Sequence, residues 1–589
     1  MSRHGCMAAV CAAALALAAA AGGAGAAAPA PSSGAAGEAP EQFRVWGARA
    51  AAHPYLGDPG LDAPGPVRVE ATDADKARGL VVFARPATAL VRPDEVPAEA
   101  ARAERLAAAD CPGQYGPVTF LVAALAGGEF SVGVTDLAGP GGKKIPAANL
   151  DVRAVRYAKV TARGKTETIP LLLEKCGPKA VAAGRLQQFW ITYFVPEDAA
   201  AGTYEGRVRI LVGGEERLAL PLALTVHPFR LADPPLDLYL YYNHPTEPSA
   251  LGLIARQLAD QRCHGMTVST LGAPVTHEGD LAREALAPFL DAYRKTGFPG
   301  KHVYVGLWNR ITAEWLNEPD KSIQMYGPWF RYYPFSEALD KRYVDTVKMI
   351  REEAAKRGLE LVLQVADEAG SHPWTIPATQ HYLDLVRRQA PGTLLELTCG
   401  GGWAMGYPEH DLWKGRLDIW STNRWLADKL EIVRKREPDA KFLPYNMAGG
   451  GSLPGGLEAA RAFFGCFVWK ARALGGAQWT YWHNATPEDN YTWPAEAAGE
   501  GNVPTLRWEA AREGAKDLRY LALLESRLQG ASGPASDAAR GLLGEIAEKT
   551  ELRTGEYDPI TGGRIPAQAA EVYDAWRTRA AALIVKLKP

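Results

Sequence analysis

The chain has 589 residues, of which 47% are hydrophobic and 22% charged, and its formal net charge is −2. These values exclude a disordered chain and indicate a globular protein of roughly two to four domains. With 65 basic and 67 acidic residues, the chain lacks the excess of positive charge that is typical of proteins binding nucleic acid or an anionic membrane surface. The 16 tryptophans and 22 tyrosines offer flat aromatic faces, which carbohydrate clefts use for stacking.

Residues 1–28 have the composition of a secretory signal peptide. An Ala/Leu/Val run from residue 7 to 21 is followed by small residues at 26–28, where a signal peptidase can cut. A flexible leader rich in Pro, Ala, Gly and Ser then occupies residues 29–41. The apolar run is too short and too rich in Ala for a membrane span, and no later segment approaches one. The sequence therefore predicts an exported protein, periplasmic or secreted.

Short apolar runs bounded by Gly, Pro, Asp or Asn predict an N-terminal β-sandwich domain over residues 42–232. Residues 96–109 differ, because their sequence has helical periodicity. A β-hairpin is predicted to turn on Gly213 and Gly214, and prolines near residue 233 indicate a linker. The predicted strands are LVVFA, PVTFLVAAL, FSVGVTDL, VRAVRYAKV, QFWITYFV, YEGRVRILV and LALPLALTV.

The cysteines and histidines predict neither a metal site nor a cofactor. The five cysteines after the signal peptide contain no CxxC pair, and the histidines contain no HExxH motif. Cys111 and Cys176 are candidates for a disulfide that the sequence leaves open. Cys263, Cys399 and Cys466 are interpreted as small buried apolar residues.

From residue 233 to 528, apolar β runs alternate with amphipathic helical segments, which predicts a (β/α)8 TIM-type barrel. Helices over residues 529–589 are predicted to form a C-terminal extension. The eight β runs cover residues 238–243, 266–271, 302–307, 359–368, 394–401, 417–423, 441–446 and 476–482. The intervening helical segments include residues 251–263, 281–296, 343–358, 379–389, 425–437 and 456–475.

Adjacent carboxylates, Asp367 and Glu368, end the fourth β run. In a barrel of this type the C-terminal ends of the strands form the active site, so we expect both acids to be catalytic. Further polar and aromatic residues follow the other β runs, and we expect them to bind substrate. These candidates are Tyr242, Asn243, Trp308, Trp403, Asn423, Tyr445, Asn446, Trp482, Asn484 and Trp493. His372 and His483 are either cleft residues or ordinary loop histidines.

The seventh β run has no acid, although most retaining barrel glycosidases carry their nucleophile there. Glycoside hydrolysis normally needs two carboxylates, but a 2-acetamido group on the substrate can replace the nucleophile. In that mechanism Asp367 orients the acetamido group, and Glu368 is the general acid/base. We expect the neighbouring charge and partial burial to raise the pKa of Glu368.

Two sets of motifs resemble glycoside hydrolase family 123 and related uncharacterised families. The first set is GQYGPVTFLVAAL, IPAANLDVRAVRY and QFWITYFVPEDAAAGTYEGRV; the second is GGAQWTYWHNATPED, YTWPA and PTLRWEAAREGAKDLRYLALLE. The resemblance covers roughly residues 110 to 525 and implies a sandwich before the barrel. It also implies substrate-assisted cleavage of β-linked N-acetylgalactosamine, with the family's Asp-Glu pair at Asp367 and Glu368. The family often continues this pair with Pro, whereas this chain continues with Ala369 and Gly370.

Two alternatives remain at this stage, and both retain a glycan or oligosaccharide as the partner. One is a glycosidase of other sugar specificity, in which Glu368 works with a loop carboxylate such as Asp411, Asp418 or Glu488. The other is a non-catalytic carbohydrate-binding protein. The sequence contains no signal for the oligomeric state.

Overall fold

The structure is a computed structural model and describes residues 67–162, 165–242, 248–271, 279–307, 333–369, 375–399, 409–422, 427–448, 456–483, 490–494, 502–552 and 565–587. The predicted signal peptide and leader lie outside these residues. Within them, every helix is too short or too polar to cross a membrane.

Two mainly antiparallel sheets pack face to face in the N-terminal part. Their strand orders are β1-β3-β10-β7-β8 and β2-β12-β11-β4-β9, with β5 and β6 beside the second sheet. Both sheets contribute apolar side chains to one shared core. The strands are β1 Leu80–Arg85, β2 Leu106–Asp110, β3 Tyr115–Ala124, β4 Gly128–Val134, β5 Leu137–Ala138, β6 Lys144–Ile145, β7 Leu150–Ala162, β8 Lys165–Lys175, β9 Lys179–Val181, β10 Arg185–Phe194, β11 Gly202–Val212 and β12 Glu215–Val226.

The predicted hairpin is confirmed, since β11 pairs antiparallel with β12 and Val212 lies opposite Glu215. Gly213 and Gly214 form its turn with φ angles of 59° and 83°, which glycine adopts without steric penalty.

The helical periodicity of residues 96–109 does not produce a long helix. A single 3-10 turn forms at Glu99–Ala101, and β2 follows at Leu106–Asp110. Strand β2 pairs in parallel with β12, with Leu106 opposite Leu222. Pairing along a sheet edge and burial of Leu106 outweigh the helix propensity of the alanines.

The C-terminal part contains a five-stranded parallel sheet of order β14-β15-β16-β17-β18, and a parallel pair of β13 with β19. Seven of the eight predicted β runs therefore form strands, with shorter bounds than the apolar patterns suggested. Residues 266–271 form only an isolated parallel bridge, between Thr270 and Tyr304. The strands are β13 Asp237–Leu240, β14 His302–Gly306, β15 Glu360–Gln364, β16 Leu394–Cys399, β17 Ile419–Thr422, β18 Lys441–Pro444 and β19 Gly475–Gln478; β20 Thr492–Pro494 and β21 Asn502–Pro504 pair with each other.

The parallel sheet is curled, because backbone contacts at both of its edges lead to the β13–β19 pair. At the β18 edge, Tyr445 forms a parallel bridge with Ala477 of β19. At the β14 edge, Tyr304 bridges Thr270, and the nearby Thr267 N–H donates to the carbonyl of Leu238 in β13 at 3.0 Å. The carboxyl ends of these strands therefore come together at one end of the sheet.

The described residues contain twelve α-helices, and most of them contribute apolar side chains to the core on the outer face of this sheet. Their bounds are α1 Asp73–Arg78, α2 Leu251–Cys263, α3 Gly279–Lys295, α4 Glu337–Ala355, α5 Ile376–Gln389, α6 Glu409–Trp413, α7 Ala427–Arg436, α8 Leu457–Ala462, α9 Val468–Ala471, α10 Leu506–Leu528, α11 Pro534–Lys549 and α12 Ala570–Lys586. Of these, α1 precedes the first strand of the N-terminal sheets, and α10 to α12 follow the last strand.

The predicted helix over residues 456–475 is interrupted. A π-type turn at Phe463–Phe467 separates α8 from α9, and Gly465 within it has non-helical angles of φ −103° and ψ −109°. Helix α10 passes close by, since a β-carbon at Gly514 would lie 2.3 Å from the carbonyl oxygen of Arg461. The two backbones approach each other here because glycine has no side chain.

Helix α10 also joins the N-terminal sheets to the C-terminal helices. Lys516 Nζ lies 2.6 Å from Asp110 of β2 and 3.0 Å from Glu513, and all three side chains are buried. Arg577 of α12 pairs with Glu513 as well. At the same interface, the Sγ atom of Cys111 lies 3.4 Å from the hydroxyl of Tyr520.

The question of a disulfide between Cys111 and Cys176 is decided by the structure, in which both are free thiols. Cys399 and Cys466 are buried, as interpreted from the sequence, whereas Cys263 is only partly buried.

Candidate active site

Asp367 and Glu368 lie just beyond β15, at the carboxyl end of the parallel sheet. In an extended strand, successive side chains point to opposite faces. Glu368 breaks this alternation, because its φ of 44° is left-handed. Such a conformation is disfavoured by about 1–2 kcal/mol for a residue with a β-carbon. Backbone strain of this kind is concentrated at functional sites in proteins.

Thr398, at the end of the neighbouring strand β16, holds both residues of the pair. Its Oγ1 donates to Oδ1 of Asp367 at 2.8 Å and accepts a hydrogen bond from the backbone N–H of Glu368 at 2.9 Å. Thr398 is 3% exposed, so water competes little for these bonds. Thr398 was not among the site residues predicted from the sequence, although its position near the end of the fifth β run places it at the same end of the sheet as the acid pair.

Tyr445 follows β18 and reaches Glu368 from the other side. Its hydroxyl donates to Oε1 of Glu368 at 2.6 Å. Burial, and then the charges of Glu368 and Asp367, hold the pKa of Tyr445 well above its ordinary value, so the hydroxyl remains a donor. The sequence predicted substrate binding for Tyr445, and the structure places its hydroxyl on the carboxylate of Glu368.

Asp367 has a raised pKa, and its burial is the main cause. Burial raises this pKa from 3.8 to about 7, and the adjacent charge of Glu368 adds to the effect, whereas the hydrogen bond from Thr398 opposes it. Asp367 therefore exchanges a proton close to neutral pH, the range in which acid/base chemistry operates.

Tyr242 and Trp493 were predicted to bind substrate, and the structure places both rings in buried packing. Tyr242 is 4% exposed, donates its hydroxyl to Gln257 and packs against Tyr481 in the core outside the sheet. Trp493 is 3% exposed and packs in a cluster with Leu172 of β8. Trp493 lies in β20, which pairs with β21 rather than with the curled sheet.

The remaining predicted substrate-binding residues have varied positions. Asn446 follows Tyr445, has a left-handed φ of 49° and bonds its N–H to the carbonyl of Ala477 at 3.0 Å. Trp482 is half-buried against the core outside the sheet. The ring of His483 packs against that of Trp479 at an angle of 55°, with ring centroids 5.2 Å apart. Asn243, Trp308, Trp403, Asn423, Asn484 and His372 lie outside the described residues.

Trp479 is an aromatic residue near the site that the sequence analysis missed. It is half-buried and packs against the cluster inside the curled sheet, with its ring centroid 5.9 Å from that of Tyr241. Ala477 belongs to the same inner cluster. Alternate residues of a strand share one face, so Trp479, two positions after Ala477, is expected on the inner face of the sheet, whereas Trp482 is not.

The two alternative bases that the structure describes, Asp418 and Asp411, do not lie beside Glu368. The backbone N–H of Leu395 donates to Asp418 at 2.8 Å, and Arg387 lies 3.1 Å away. Asp418 therefore sits where β17 begins, at the end of the sheet opposite to the acid pair. Asp411 lies in α6 on the outside and is 3.5 Å from Arg436. Glu488 lies outside the described residues.

Among solved structures, the chain is similar to a family 123 glycoside hydrolase from Clostridium perfringens, whose analysis concerned glycolipid glycan hydrolysis. That match has a TM-score of 0.60 and 11% identity, and it covers 86% of this chain and 98% of that chain. A family 39 glycoside hydrolase from Bacteroides cellulosilyticus WH2 matches at a TM-score of 0.36 and 12% identity, over 71% of this chain and 82% of that chain. No family model and no curated protein matches the sequence. The first similarity shows that the chain shares the overall fold of the family 123 enzyme.

Proposed function

We propose that this protein is an exported glycoside hydrolase that cleaves a β-linked 2-acetamido sugar with retention of configuration. In this proposal, Asp367 orients the acetamido group and Glu368 is the general acid/base. The observation that carries it is the pair itself: two consecutive carboxyl groups at the carboxyl end of a parallel sheet, one bonded by Thr398 of β16 and the other by Tyr445 after β18.

The residues after β18 support a nucleophile supplied by the substrate. This segment continues as Tyr445, Asn446, Met447 and Ala448, without a carboxylate. A retaining enzyme with a protein nucleophile needs a second acid across the sugar from the first, whereas Asp367 and Glu368 are consecutive. An acetamido oxygen needs no such second acid, only a group that orients the amide.

In the first step, the acetamido carbonyl oxygen attacks the anomeric carbon while the bond from that carbon to the leaving oxygen breaks. Glu368 gives its proton to the leaving oxygen. The hydrogen bond from Tyr445 to Oε1 holds the carboxyl of Glu368 in place at the end of the sheet. Thr398 likewise occupies Oδ1 of Asp367, which leaves Oδ2 to accept the amide N–H as positive charge develops on the cyclised amide.

In the second step, Glu368 accepts a proton from water, and the water oxygen attacks the anomeric carbon from the face that the leaving group vacated. The bond to the acetamido oxygen breaks, and two inversions give net retention. Glu368 ends the cycle protonated, and the acetamido group is restored. Tyr445 remains hydrogen-bonded to Glu368 in both protonation states, because its hydroxyl can donate to either.

The same proposal includes the architecture expected from the sequence. The backbone contacts of β13 with β19, of Tyr445 with Ala477 and of Thr270 with Tyr304 support an eight-stranded (β/α)8 barrel over residues 233–528. The paired sheets support a β-sandwich domain over residues 42–232, and α11 and α12 support a helical extension over 529–589. Residues 1–28 and 29–41 are proposed to be the signal peptide and leader.

A panel of nitrophenyl β-glycosides tests the function. We expect release from the N-acetyl-β-galactosaminide or another 2-acetamido glycoside, inhibition by the corresponding thiazoline, and loss of turnover in Glu368→Gln. Asp367→Asn should reduce kcat by about 10²-fold or more. The matched control is Asp411→Asn, which makes the same substitution at an exposed position on the outside of the fold.

The outcomes separate the alternatives. Turnover restricted to glycosides without an acetamido group would contradict the substrate-assisted mechanism and favour a glycosidase with another base. Glycan binding without turnover of any substrate would contradict an enzymatic function and favour a carbohydrate-binding protein.

A further inference from the structure

A third carboxylic acid, Glu396, lies inside the curled sheet. In β16, Leu394 packs with the inner cluster, and alternation places Glu396 and Thr398 on the same face. Glu396 is directly opposite Gln364 of β15 in the strand register. It is 0% exposed. Glu396 therefore occupies the layer immediately beneath Thr398, the residue that holds the catalytic pair.

The surroundings of Glu396 do not compensate a negative charge. Within the described part of the chain, neither carboxyl oxygen has a hydrogen bond of good geometry. The polar side chains of Ser421 in β17 and of Gln364 face the carboxyl and lower its pKa, but burial outweighs them. The titratable groups that face it from other elements are three tyrosines and one further acid. They are Tyr239 and Tyr241 of the β13 segment, Tyr304 of β14, and Asp367 beyond β15.

A buried carboxylate without a cation or several donors is strongly disfavoured, and the group takes up a proton instead. Burial accordingly raises the pKa of Glu396 to about 7, and the charge of Asp367 adds to this effect. The three tyrosines beside Glu396 are compatible with a neutral acid because they are neutral themselves. Burial is the main cause that holds the pKa values of Tyr239, Tyr241 and Tyr304 well above the ordinary value.

We propose that Glu396 is a positioning residue that holds a proton beneath the catalytic pair, so that the layer under Asp367 stays uncharged while Asp367 carries the negative charge. This inference rests on the proposed function for its role in the reaction. The location of the proton can nevertheless be measured without any substrate.

The proposal has a direct consequence for pH dependence. When Glu396 loses its proton at alkaline pH, its charge makes the ionisation of Asp367 less favourable, because two like charges then share a poorly solvated space. In Glu396→Gln this charge cannot form. The midpoint of the Asp367 titration should therefore move to lower pH by roughly half a unit, and the acidic limb of kcat/KM, which reports the ionisation of Asp367, should move in the same direction.

Carboxyl ¹³C NMR of protein labelled in Glu and Asp tests this on the full chain. The signal of residue 396 is assigned by its loss in Glu396→Gln, and that of residue 367 by its loss in Asp367→Asn. We expect the Glu396 carboxyl to be protonated at pH 5.5 and to titrate near neutrality. Glu396→Asp, which keeps an ionisable group, should retain the wild-type midpoint of Asp367.

Glu360→Gln is the matched control, since it makes the same change at the opposite end of β15, where the side chain is 50% exposed and paired with Lys301. It should leave the Asp367 midpoint unchanged. If Glu396→Gln does not fold, Glu396→Asp still assigns the signal of residue 396 in the wild-type spectrum.

Two results would overturn the proposal: an ionised Glu396 at pH 5.5, or an Asp367 midpoint that Glu396→Gln leaves in place. A complete lack of turnover on the glycoside panel would instead contradict the proposed function, and the NMR titration would still decide the protonation of Glu396.

Discussion

The hydroxyl of Tyr445 donates a 2.6 Å hydrogen bond to Oε1 of Glu368, and this bond joins the carboxyl ends of β18 and β15. The two residues are 77 positions apart in the chain. Because the phenol also stays protonated in this buried setting, it remains a hydrogen-bond donor that holds Oε1 of Glu368.

Tyr445→Phe removes this donor while keeping the ring. We expect kcat to fall by about 10- to 100-fold, the usual effect of releasing a positioned acid/base group. Steady-state kinetics on the responsive nitrophenyl glycoside measure it. Tyr242→Phe is the matched comparison, because the hydroxyl of Tyr242 bonds to Gln257 in the core outside the sheet. An equal loss in both variants would contradict the assignment of Tyr445 to Glu368.

Thr398→Val replaces the hydroxyl that bonds to Asp367 and to the backbone of Glu368 with a methyl group of similar size. We expect kcat/KM to fall by about 10- to 100-fold, and the pKa of Asp367 to rise, since the Thr398 hydrogen bond lowers it. A pH series of kcat/KM reports both effects.

Thr379→Val is the control for Thr398→Val. Thr379 is also fully buried, but its hydroxyl bonds to the backbone of Thr375 in the α5 segment. Wild-type kinetics in Thr398→Val would show that the hydroxyl does not position the pair.

Asp367→Asn should change the pH dependence of stability. The folded-state pKa of about 7 exceeds the ordinary 3.8, so the folded chain binds a proton that the unfolded chain has released. The stability that this proton confers is fully present below about pH 4 and lost as the pH rises through about 7. At pH 8 the variant should therefore be more stable than wild type by about 4 kcal/mol, and near pH 4 the two should be similar.

Urea unfolding at pH 4.5 and pH 8 measures this difference. Asp136→Asn provides a control of opposite sign, because hydrogen bonds from Lys144 and the Ala147 N–H lower the pKa of Asp136. That variant should lose stability at pH 8. A stability difference for Asp367→Asn that does not vary with pH would contradict the raised pKa.

Lys516→Met should destabilise the junction between the N-terminal sheets and the C-terminal helices. The change leaves buried Asp110 without its 2.6 Å cation partner, and breaking a buried ion pair from one side typically destabilises by about 3–5 kcal/mol. Lys341→Met is the control, since Lys341 is 78% exposed in its pair with Asp345 and such pairs contribute about 0–1 kcal/mol. Equal unfolding midpoints in urea for the two variants would show that the Lys516 network is not a stabilising contact.

Trp479→Ala should raise KM by about 10-fold if its half-buried ring, beside Tyr241 on the inner face, stacks on a sugar. Trp493→Ala should instead lower the unfolding midpoint without raising KM, because Trp493 packs against β8. Kinetics and thermal unfolding of the two variants distinguish these effects. An unchanged KM in Trp479→Ala would remove that ring from the binding surface.

The sequence by itself determined the order of elements and the location of the acid pair. Turn residues punctuate the apolar runs of β1 to β12, and apolar runs alternate with amphipathic segments from β13 to β19. Both patterns are local, and for this reason they can be recognised in the sequence without knowledge of tertiary contacts. Asp367 and Glu368 stood out on the same local grounds, as charges directly after an apolar run.

Only the tertiary structure decided which side chains meet that pair. Thr398, Tyr445 and Glu396 come from other strands, and their roles depend on the strand register and on the face to which each side chain points. A shift of one residue reverses that face, which is why Tyr242 was assigned to the cleft and lies in the core. Trp493 lies in β20, which is not part of the curled sheet. Contacts between distant residues also decide the strand at Leu106–Asp110, where pairing with β12 outweighs local helix propensity. They decide the raised pKa of Asp367 as well, because it arises from burial, which depends on the packing of distant segments.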